Sequence, residues 1–314
     1  MFSKLITASL AVSFLAGGFF LFAGMGDRMP PREPVVLGPR EIGVREWPSR
    51  DPAGLAALWE ATARGERPLR IASYNVHKCT GMDFRKDPGR VAEVIRSLDA
   101  DIISLQEVLS GPGGGASAQV RYLAERAGMY MAVSAPTRLK KEGEYGNALL
   151  SRFPITRVRL HDISLGGFEP RGVIDADIMV GDFTVRVLAT HFGLWPMERN
   201  RQMERLLQIL PERPRFPLVV MGDMNGWVPG SPVLKRLEER LGKPVTMRSF
   251  PALIPFLPLD RIWVLPSEYL TGAFSISNPA DRSGFIRFAS DHLPVVAAFY
   301  LRAKAVSGTL LPAH

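Results

Sequence analysis

The feature that most restricts the fold of this chain is a regular alternation of short apolar runs and amphipathic stretches, which begins near residue 67. The runs are rich in β-branched and aliphatic residues, and most end in polar residues or glycine, as strands do. They are residues 69–76, 100–108, 145–151, 172–180, 183–191, 216–223 and 259–265. Strands that alternate with helices in this way predict an α/β fold.

Two of the stretches between these runs have helical periodicity. Residues 87–98 and 196–210 each carry four apolar residues at the i, i+3, i+4, i+7 spacing of one helix face. These residues are Val91, Val94, Ile95 and Leu98 in the first stretch, and Met203, Leu206, Leu207 and Leu210 in the second. We predict two helices that bury these stripes in the core. The glycine-rich run at 111–117 lacks the Lys-Ser/Thr pair of a phosphate-binding loop and predicts a flexible connection.

The amino-terminal 34 residues do not belong to this pattern. Residues 5–25 contain no charged side chain, and a run of this length can cross a bilayer core of about 30 Å. We expect an uncleaved membrane anchor, a stiff proline-rich spacer at 29–39 and an extracytoplasmic folded domain. The alternative is a cleaved signal peptide and a secreted protein. The arginines that follow the span argue against the extracytoplasmic orientation, because basic residues favour the cytoplasmic side.

Composition limits the partners and the metal chemistry. The formal net charge is +8, which favours anionic partners such as phosphates, nucleic acid or acidic lipid, although compositional drift toward arginine gives the same charge. Cys79 is the single cysteine, so an internal disulfide framework and a cysteine-rich zinc site are excluded. Hydrophobic residues make up 46% of the chain, which is enough to bury a sizeable core.

Acidic, amide and imidazole side chains recur where the apolar runs end. We place six of them at or just past the carboxyl end of a run, and two more directly before one. The six are Asn75, Glu107, His191, Asp223, Asn225 and Asp260, and the two are Asp291 and His292. Because α/β folds present functional groups at strand ends and in the loops beyond them, these residues predict a single site.

Six segments resemble, in order, the motifs of the endonuclease/exonuclease/phosphatase family, which includes pancreatic-type deoxyribonuclease, abasic-site endonucleases and neutral sphingomyelinases. The segments are YNVHKCTGMD, ADIISLQEV, THFGLWPMERNRQ, MGDMNGW, LDRIWV and SDHLPV. The resemblance implies a four-layer α/β sandwich with two central mixed β-sheets flanked by helices. Together with the uncharged amino-terminal run, it predicts an anchor or signal at 1–28, a linker with a short helix at 29–66, a catalytic domain at 67–303 and a tail at 304–314.

The resemblance also implies a Mg²⁺- or Mn²⁺-dependent hydrolase that cleaves phosphoesters, and phosphodiesters in particular, by in-line attack of water. Glu107 is then the principal metal ligand, with Asn75 beside it and Asp291 as a further carboxylate. Oxygen ligands of this kind suit a hard cation. Lys78 is a candidate phosphate contact, and His77 is read as a histidine that packs in its loop.

The remaining residues have catalytic roles in the same family. His191 and Asn225 are expected to contact the phosphate, and Asp223 to orient or deprotonate the attacking water. His292 is the acid or base, with Asp260 as the carboxylate that fixes its tautomer. Whether Asp223 or the pair of Asp260 and His292 is the effective base stays open at this point.

The substrate also stays open. The basic charge and the arginines of ERNRQMER favour a nuclease, whereas the anchor and the apolar stretch FPALIPFLPL at 250–259 favour a phosphodiesterase acting on phospholipid or its headgroups. The third alternative is a membrane-tethered binding module that has the same fold and no turnover. We expect a monomer whose partners are a phosphoester substrate and, through the amino-terminal helix, a membrane.

Overall fold

The structure is a computed structural model that describes residues 40–301. It leaves out residues 42–43, 47, 50, 111–117, 141–142, 213, 215, 229 and 267–284. The predicted membrane span, the spacer, the glycine-rich run and the tail therefore lie outside the described residues, and they stay predictions, as do the domain limits. None of the helices in the described part of the chain has both the length and the apolar character needed to cross a membrane.

The secondary structure alternates as the sequence predicts. The helices are α1 (Pro52–Ala63), α2 (Pro88–Ser97), α3 (Ala118–Ala127), α4 (Pro196–Ile209) and α5 (Pro232–Leu241). The strands are β1 (Arg40–Glu41), β2 (Arg45–Glu46), β3 (Leu69–Asn75), β4 (Ile102–Ser110), β5 (Met131–Lys140), β6 (Gly143–Ser151), β7 (Ile155–Asp162), β8 (Gly172–Val180), β9 (Phe183–His191), β10 (Leu218–Asp223), β11 (Val245–Thr246), β12 (Asp260–Leu265) and β13 (Val295–Phe299).

The strands form two mixed sheets. One has seven strands in the order β1-β7-β8-β9-β10-β12-β11, and the other has six in the order β13-β3-β4-β6-β5-β2. Each contains one parallel pair, β9 with β10 in the first sheet and β3 with β4 in the second. The other pairs are antiparallel. The prediction of two mixed sheets flanked by helices is confirmed.

Three apolar cores separate four layers. The central core lies between the sheets and includes Ile71 of β3 and Val219 of β10. Side chains alternate across a strand, so Tyr74 of β3 faces the opposite way, into a core with α2 and α3. By the same alternation, Val220 of β10 packs in the core that the seven-stranded sheet forms with α4 and α5. The order of layers is therefore helix, sheet, sheet, helix.

Both predicted helices are confirmed. In α2 the four residues of the apolar stripe are all buried, and the helix begins where the side chain of Asp87 accepts hydrogen bonds from two backbone amides and Pro88 occupies the first turn. In α4 three of the four stripe residues are buried and Leu207 is half-buried. Each helix thus joins the core through the face that the periodicity indicates.

The segment before β3 also packs on the sheets. Strand β1 pairs with β7, and β2 pairs with β5. The ring of Trp59 in α1 stacks on Phe153 with 6.2 Å between centroids, and its Nε1 donates to the carbonyl of Arg152 at 2.7 Å. The part of the predicted linker that is described, from residue 40 onward, is therefore attached to the domain rather than extended from it.

Candidate active site

Three neighbouring strands of the seven-stranded sheet bring polar residues to one edge. Strands β9 and β10 are parallel, and their last residues, His191 and Asp223, lie opposite each other. Strand β12 is antiparallel to β10, so its first residue, Asp260, pairs with Asp223. Asp260 was predicted to follow an apolar run, and this prediction was wrong. Asp260 begins its strand and reaches the site because that strand runs in the opposite direction.

The six-stranded sheet supplies the other half of the site. Asn75 is the last residue of β3, and Glu107 lies in β4 at a register shift against β6, between Leu105 and Val108. The turn before β13 is tied to the same edge, because the Oγ of Ser290 donates to the carbonyl of Asn75 at 2.8 Å. This contact brings the two residues that follow Ser290 next to the end of β3.

Gly222 allows β9 and β10 to approach closely beside Asp223. Its φ is +151°, and a Cβ atom built there would lie only 1.9 Å from the carbonyl oxygen of Thr190. A side chain at this position would therefore separate the two strands that carry His191 and Asp223. The glycine of the GD motif is thus needed to keep these two functional groups adjacent.

The carboxylate of Asp223 lies at the centre of the cluster. Its Oδ2 accepts from the Nδ2 of Asn75 at 3.2 Å, and the Nε2 atoms of His191 and His292 lie at 3.5 and 3.7 Å. Its Oδ1 accepts from the backbone amide of Asn225 at 2.9 Å. Burial raises the pKa of this carboxyl group to about 6. The group is thus suited to exchange a proton near neutral pH.

His292 and Asp260 form a buried pair. The Nδ1 of His292 lies 2.8 Å from the Oδ2 of Asp260, so the carboxylate holds the Nδ1–H and leaves Nε2 facing Asp223. Burial favours the neutral imidazole, but attraction to Asp260 and Asp223 outweighs it and raises the pKa of His292 to about 10. The ring of Phe250 packs against the imidazole at 4.9 Å between centroids and excludes water from one face. The predicted pairing of these two residues is present in the structure.

His191 has the opposite electrostatic environment. The Nη1 of Arg171 lies 2.9 Å from the Nδ1 of His191. Burial, together with the charge of Arg171, lowers the pKa of His191 well below its usual value, so the ring is neutral at pH 7. Because a guanidinium only donates hydrogen bonds, Nδ1 must accept and the ring hydrogen must be on Nε2.

Glu107 is ionised and held by donors. The Nδ2 of Asn75 lies 3.3 Å from its Oε1, and the hydroxyl of Tyr145 donates to the same carboxylate. Burial opposes the charge, but attraction to His191, His77 and Arg171 outweighs it and lowers the pKa of Glu107 to about 2. Since His191 is neutral at pH 7, Arg171 supplies a permanent positive charge. The Glu107 carboxylate therefore has no proton to donate and can only accept hydrogen bonds or bind a cation.

The predicted metal ligands differ in how they are oriented. Asn75 directs its amide nitrogen to two carboxylates, and its Oδ1 accepts from the backbone amide of His77 at 3.0 Å. Asp291 is half-buried, and its Oδ2 lies 3.8 Å from the Nδ1 of His77. That nitrogen donates to the carbonyl of Thr80 at 3.2 Å, which agrees with a histidine packed in its loop. The Asn75 amide nitrogen thus links the carboxylates of Glu107 and Asp223.

The donor set fits a hard divalent cation. Glu107 contacts the side chain of Asn75 at the end of β3, and Asp291 directly follows Ser290, which donates to the Asn75 carbonyl. Both offer carboxylate oxygens, and oxygen is the ligand that Mg²⁺ and Mn²⁺ prefer. The one thiol, Cys79, is buried, and burial raises its pKa to about 12, so it is not a ligand. Asp223, Asp260 and His292 also bring potential ligand atoms within 4.8 Å of one another. A histidine with a pKa of about 10 is protonated at pH 7, so that trio is better described as a hydrogen-bonded acid–base group.

Backbone strain is concentrated around the site. Five non-glycine residues there have positive φ angles, a conformation that is unfavourable for residues with a Cβ atom. They are His77, Lys78 and Cys79 in the turn after β3, with φ of 43°, 57° and 59°, Glu107 with 58°, and Asn225 with 46°. Such conformations persist only where the surrounding contacts enforce them, and they occur often at functional sites.

Sequence reasoning missed two residues of the cluster. Arg171 and Tyr145 both contact predicted site residues, and both are at least nine-tenths buried. Tyr145 opens the run 145–151, and Arg171 immediately precedes the run 172–180. The available signal was their position at the beginning of a strand, because antiparallel neighbours bring strand beginnings to the same edge as strand ends.

Two mixed sheets lie between two helix layers, and carboxylates, imidazoles and amides gather at one edge of the sheets, as expected for the four-layer α/β sandwich that the motifs predict. The chain belongs to the endonuclease/exonuclease/phosphatase family, whose sequence profile matches residues 72–292.

Individual proteins agree with this assignment. The chain is 29% identical over 254 residues to the uncharacterized protein YbhP of Escherichia coli K12, with 74% of this chain and 96% of YbhP covered. An endonuclease/exonuclease/phosphatase from Beutenbergia cavernae superposes with a TM-score of 0.57 at 24% identity, over 75% of this chain and 72% of that one. The catalytic domain of human Nocturnin with bound sulfate gives 0.55 at 20% identity, over 76% and 99%. At these identities the two structures show a shared fold.

Proposed function

We propose that this protein is a divalent-metal-dependent hydrolase that cleaves phosphodiesters by in-line attack of water. The observation that carries the proposal is the position of the Asp223 Oδ2, which faces Asn75, His191 and His292 within 3.7 Å at the junction of the two sheets. An oxygen that can accept a proton thus lies among the nitrogens of three donors. This is the arrangement that water activation beside a phosphoryl group requires.

Asp223 and His292 have different roles, one as a proton acceptor and the other as a protonated hydrogen-bond donor. Asp223 orients the attacking water and accepts its proton, because its pKa of about 6 is close to neutral pH. His292 stays protonated because Asp260 holds its Nδ1–H, and its Nε2–H stabilises negative charge that develops on the phosphoryl group. This division favours Asp223 as the base, one of the two alternatives that the sequence left open.

His191 and Asn225 bind a phosphoryl oxygen. The Nε2–H of His191 and the Nδ2 of Asn225 are 3.2 Å apart, and Nδ2 also donates to the carbonyl of Phe192 at 2.8 Å. With the ring hydrogen of His191 on Nε2, both nitrogens are donors, and an acceptor placed beside the pair can receive a hydrogen bond from each. A non-bridging oxygen of the substrate has the charge and the lone pairs to satisfy both. The sulfate bound to Nocturnin shows that another protein of this fold accommodates a tetrahedral anion.

Glu107 and Asp291 would hold the metal ion. Asn75, the third predicted ligand, has its Oδ1 bonded to the backbone amide of His77, and its amide nitrogen orients Glu107 and Asp223. When bound, Mg²⁺ or Mn²⁺ neutralises charge on the phosphoryl group and stabilises the leaving oxygen. Tyr145 and Arg171 keep Glu107 ionised and correctly oriented for this role.

The structure bears on the alternatives. All eight predicted site residues are present at the sheet edge, which argues against a binding module without turnover. The arginines of ERNRQMER give less support to a nuclease than their charge suggests, because Arg199 is buried and donates to the carbonyls of Gly193 and Leu194, and Arg205 donates to the carbonyl of Ser164. Nucleic acid and phospholipid headgroups both remain candidate substrates, and membrane anchoring through residues 5–25 remains part of the proposal.

The test is hydrolysis of bis(p-nitrophenyl) phosphate by the purified full chain. EDTA should abolish turnover, and Mg²⁺ or Mn²⁺ should restore it. Glu107→Gln should lower the rate by orders of magnitude, whereas Glu125→Gln, on an exposed helix face, should leave it unchanged. Full turnover in excess chelator, or a normal rate for Glu107→Gln, would disprove the mechanism. Product analysis on DNA, RNA, phospholipid and sugar phosphates then identifies the substrate.

A further inference from the structure

Large apolar side chains are exposed beside the candidate active site. Six of them, which we call the apolar rim, belong to three segments. They are Leu194, Trp195 and Met197 after β9, Val228 after β10, and Ile254 and Phe256 before β12. Their exposed fractions range from 47% to 62%. Isolated exposed apolar residues are ordinary on soluble proteins, but a group of them around one site indicates an interaction surface.

The topology places all three segments at the edge that carries the site. His191, Asp223 and Asp260 lie opposite one another in register, and each segment adjoins one of these residues. The second and third segments are also connected directly. The backbone amide of Met224 donates to the carbonyl of Leu259 at 3.0 Å, and the ring of Trp227 packs edge-on against Phe250 at 5.7 Å.

The rim segments are ordered by their own contacts. The buried guanidinium of Arg199 donates to the carbonyls of Gly193 and Leu194, and the Oε1 of Gln202 accepts from the amide of Gly193 at 2.7 Å. In the third segment the amide of Phe256 donates to the carbonyl of Phe250 at 3.0 Å. The rim side chains are therefore held outward by a fixed backbone, so they need little ordering when they bind a partner.

The charge of the surroundings indicates what the partner is. Residues 192–197, 226–228 and 248–258 contain no Asp or Glu. Exposed basic residues lie near the third segment, with Arg248 directly before it and with Arg85 and Lys86 in a loop after β3. Arg90 ties this loop to the carbonyl of Phe288, and the neighbouring Arg287 donates to the carbonyl of Leu253. The two carboxylates of the loop, Asp83 and Asp87, are paired with Arg90. Apolar side chains can insert into the interfacial region of a bilayer while basic side chains contact the headgroups, so this combination matches an anionic lipid surface.

A single-stranded nucleic acid fits the rim less well. Bases stack on aromatic rings, but four of the six rim residues are aliphatic and offer no ring to a base. Trp227, which is 37% exposed beside Val228, has its ring packed edge-on against Phe250. Aliphatic tips together with a tryptophan are the composition that enters the interfacial region of a bilayer. We propose that the apolar rim docks the mouth of the site on the surface of an anionic phospholipid bilayer. This docking does not depend on whether the site hydrolyses a phosphodiester.

Site-specific fluorescence in the full chain tests the proposal. Val228→Cys and Ile254→Cys are each labelled with the environment-sensitive fluorophore NBD, and Met179→Cys serves as the matched control. Met179 is also exposed and apolar, but it lies at the opposite edge of the same sheet, near the end where β8 pairs with the beginning of β9. The native Cys79 is buried and has a raised pKa, so the unmutated chain provides the unlabelled baseline.

Phosphatidylcholine vesicles that contain phosphatidylglycerol should shift the emission at residues 228 and 254 to shorter wavelength and increase it several-fold. Brominated lipids should quench it, and high salt or vesicles without phosphatidylglycerol should reduce the change. The probe at residue 179 should not respond. Because the amino-terminal apolar segment is identical in all three proteins, the difference between sites reports the rim alone.

Equal responses at residues 179, 228 and 254, or no response at the two rim positions, would overturn the proposal. A response to a single-stranded oligonucleotide in place of vesicles would overturn it as well and would assign the rim to nucleic acid. Hydrolysis of bis(p-nitrophenyl) phosphate by the same labelled proteins is measured in parallel, so that failure of the catalytic proposal is distinguished from failure of rim docking.

Discussion

The guanidinium of Arg171 donates to the Nδ1 of His191 across 2.9 Å, and this contact determines which ring nitrogen carries the proton. Arg171 cannot accept a hydrogen bond, so the Nε2 of His191 is left as a donor that faces Asp223 and Asn225. A residue that lies behind the imidazole thus sets the hydrogen-bonding character of the ring edge that we propose contacts the substrate.

Replacement of Arg171 by methionine should therefore disturb the tautomer of His191. We expect kcat to fall by about 10- to 100-fold, because positioning residues of this kind contribute that much. Nitrogen NMR of the imidazole should show a single Nε2–H form in the native protein and a mixture in Arg171→Met. Arg240→Met, which removes a guanidinium bound to the carbonyls of Pro211 and Glu212, is the control. An unchanged tautomer with lost activity would mean that Arg171 acts in another way.

The neighbours Asp291 and His292 should have separable roles. His292→Ala should lower kcat by about 10²- to 10⁴-fold and leave the affinity for Mg²⁺ nearly intact, because the imidazole acts on protons and charge. Asp291→Ala should weaken both, because it removes a carboxylate proposed to bind the metal. Steady-state rates combined with Mg²⁺ titrations measure both effects.

Asp260 and His292 should behave as one unit. Asp260→Asn should resemble His292→Ala, because an amide does not stabilise an imidazolium, and the double variant should be little worse than either single one. Additive losses in kcat would separate the two residues and contradict the pairing seen at 2.8 Å.

Gly222→Ala should destabilise the protein and distort the site. The new Cβ would lie 1.9 Å from the carbonyl oxygen of Thr190, and relief of such an overlap in a packed core costs about 1–3 kcal/mol. Urea denaturation measures the loss in the free energy of unfolding. Gly166→Ala is the matched control, since a Cβ there meets no atom within 4 Å. Equal stability of the two variants would show that β9 and β10 can separate freely.

Asp175 should stabilise the seven-stranded sheet in a pH-dependent way. It is fully buried and bonded to Arg159, Arg186 and His161 at 2.8 to 3.1 Å. Burial opposes its charge, but these partners outweigh burial and hold the pKa of Asp175 well below its usual value. Asp175→Asn removes the carboxylate partner of two half-buried guanidinium groups, of which Arg159 keeps Asp177, and should cost about 1–3 kcal/mol at pH 7.

The sign of the pH dependence follows from the lowered pKa of Asp175. Its contribution is complete above the pKa of an unfolded aspartate, about 3.9, and is lost progressively as the pH falls below that value. The difference in unfolding free energy between the native protein and Asp175→Asn should therefore be constant from pH 5 to 7 and shrink in acid. Asp182→Asn, at an exposed position, should show neither effect. A constant difference down to about pH 2 would contradict this account.

Removal of residues 1–34 should release the protein from membranes and leave a metal-dependent hydrolase, because the predicted site residues all lie beyond residue 70. Carbonate extraction of membranes that contain the full chain, followed by sequencing of the mature amino terminus, measures anchoring. Complete extraction, or a mature terminus near Asp27, would replace the anchor by a cleaved signal peptide.

The sequence predicted the seven strands with long apolar runs and the two helices with clear stripes, because burial of a face leaves a periodic pattern. It did not predict β5 or β7. In strand β7, Ile155 and Val158 are buried, but Thr156 and Arg157 are exposed. The strand therefore has too few apolar residues to form a run. Its place in the sheet comes from pairing with β8, which is a tertiary contact.

The site was also predicted in part, because some of its residues leave a pattern in the sequence. Residues that end strands stand out because a polar group follows an apolar run, so Asn75 and Asp223 could be found. Arg171 was missed because it precedes a strand instead of ending one, and its partner His191, 20 residues away, is brought close by the pairing of β8 with β9. The positive φ of Glu107 was also beyond sequence reasoning, since glutamate has no preference for that conformation.

The site draws on both sheets, and this has a consequence for the order in which function appears during folding. Asn75 and Glu107 belong to one sheet and His191, Asp223 and Asp260 to the other, so a folding intermediate with one sheet formed contains half of the groups and none of the contacts between halves. The hydrogen bond from Asn75 to Asp223 spans 148 positions of the chain and forms only when the sheets dock. Catalytic competence should therefore be gained only when the two sheets dock, so partially folded chains would be inert toward phosphoesters inside the cell that makes them.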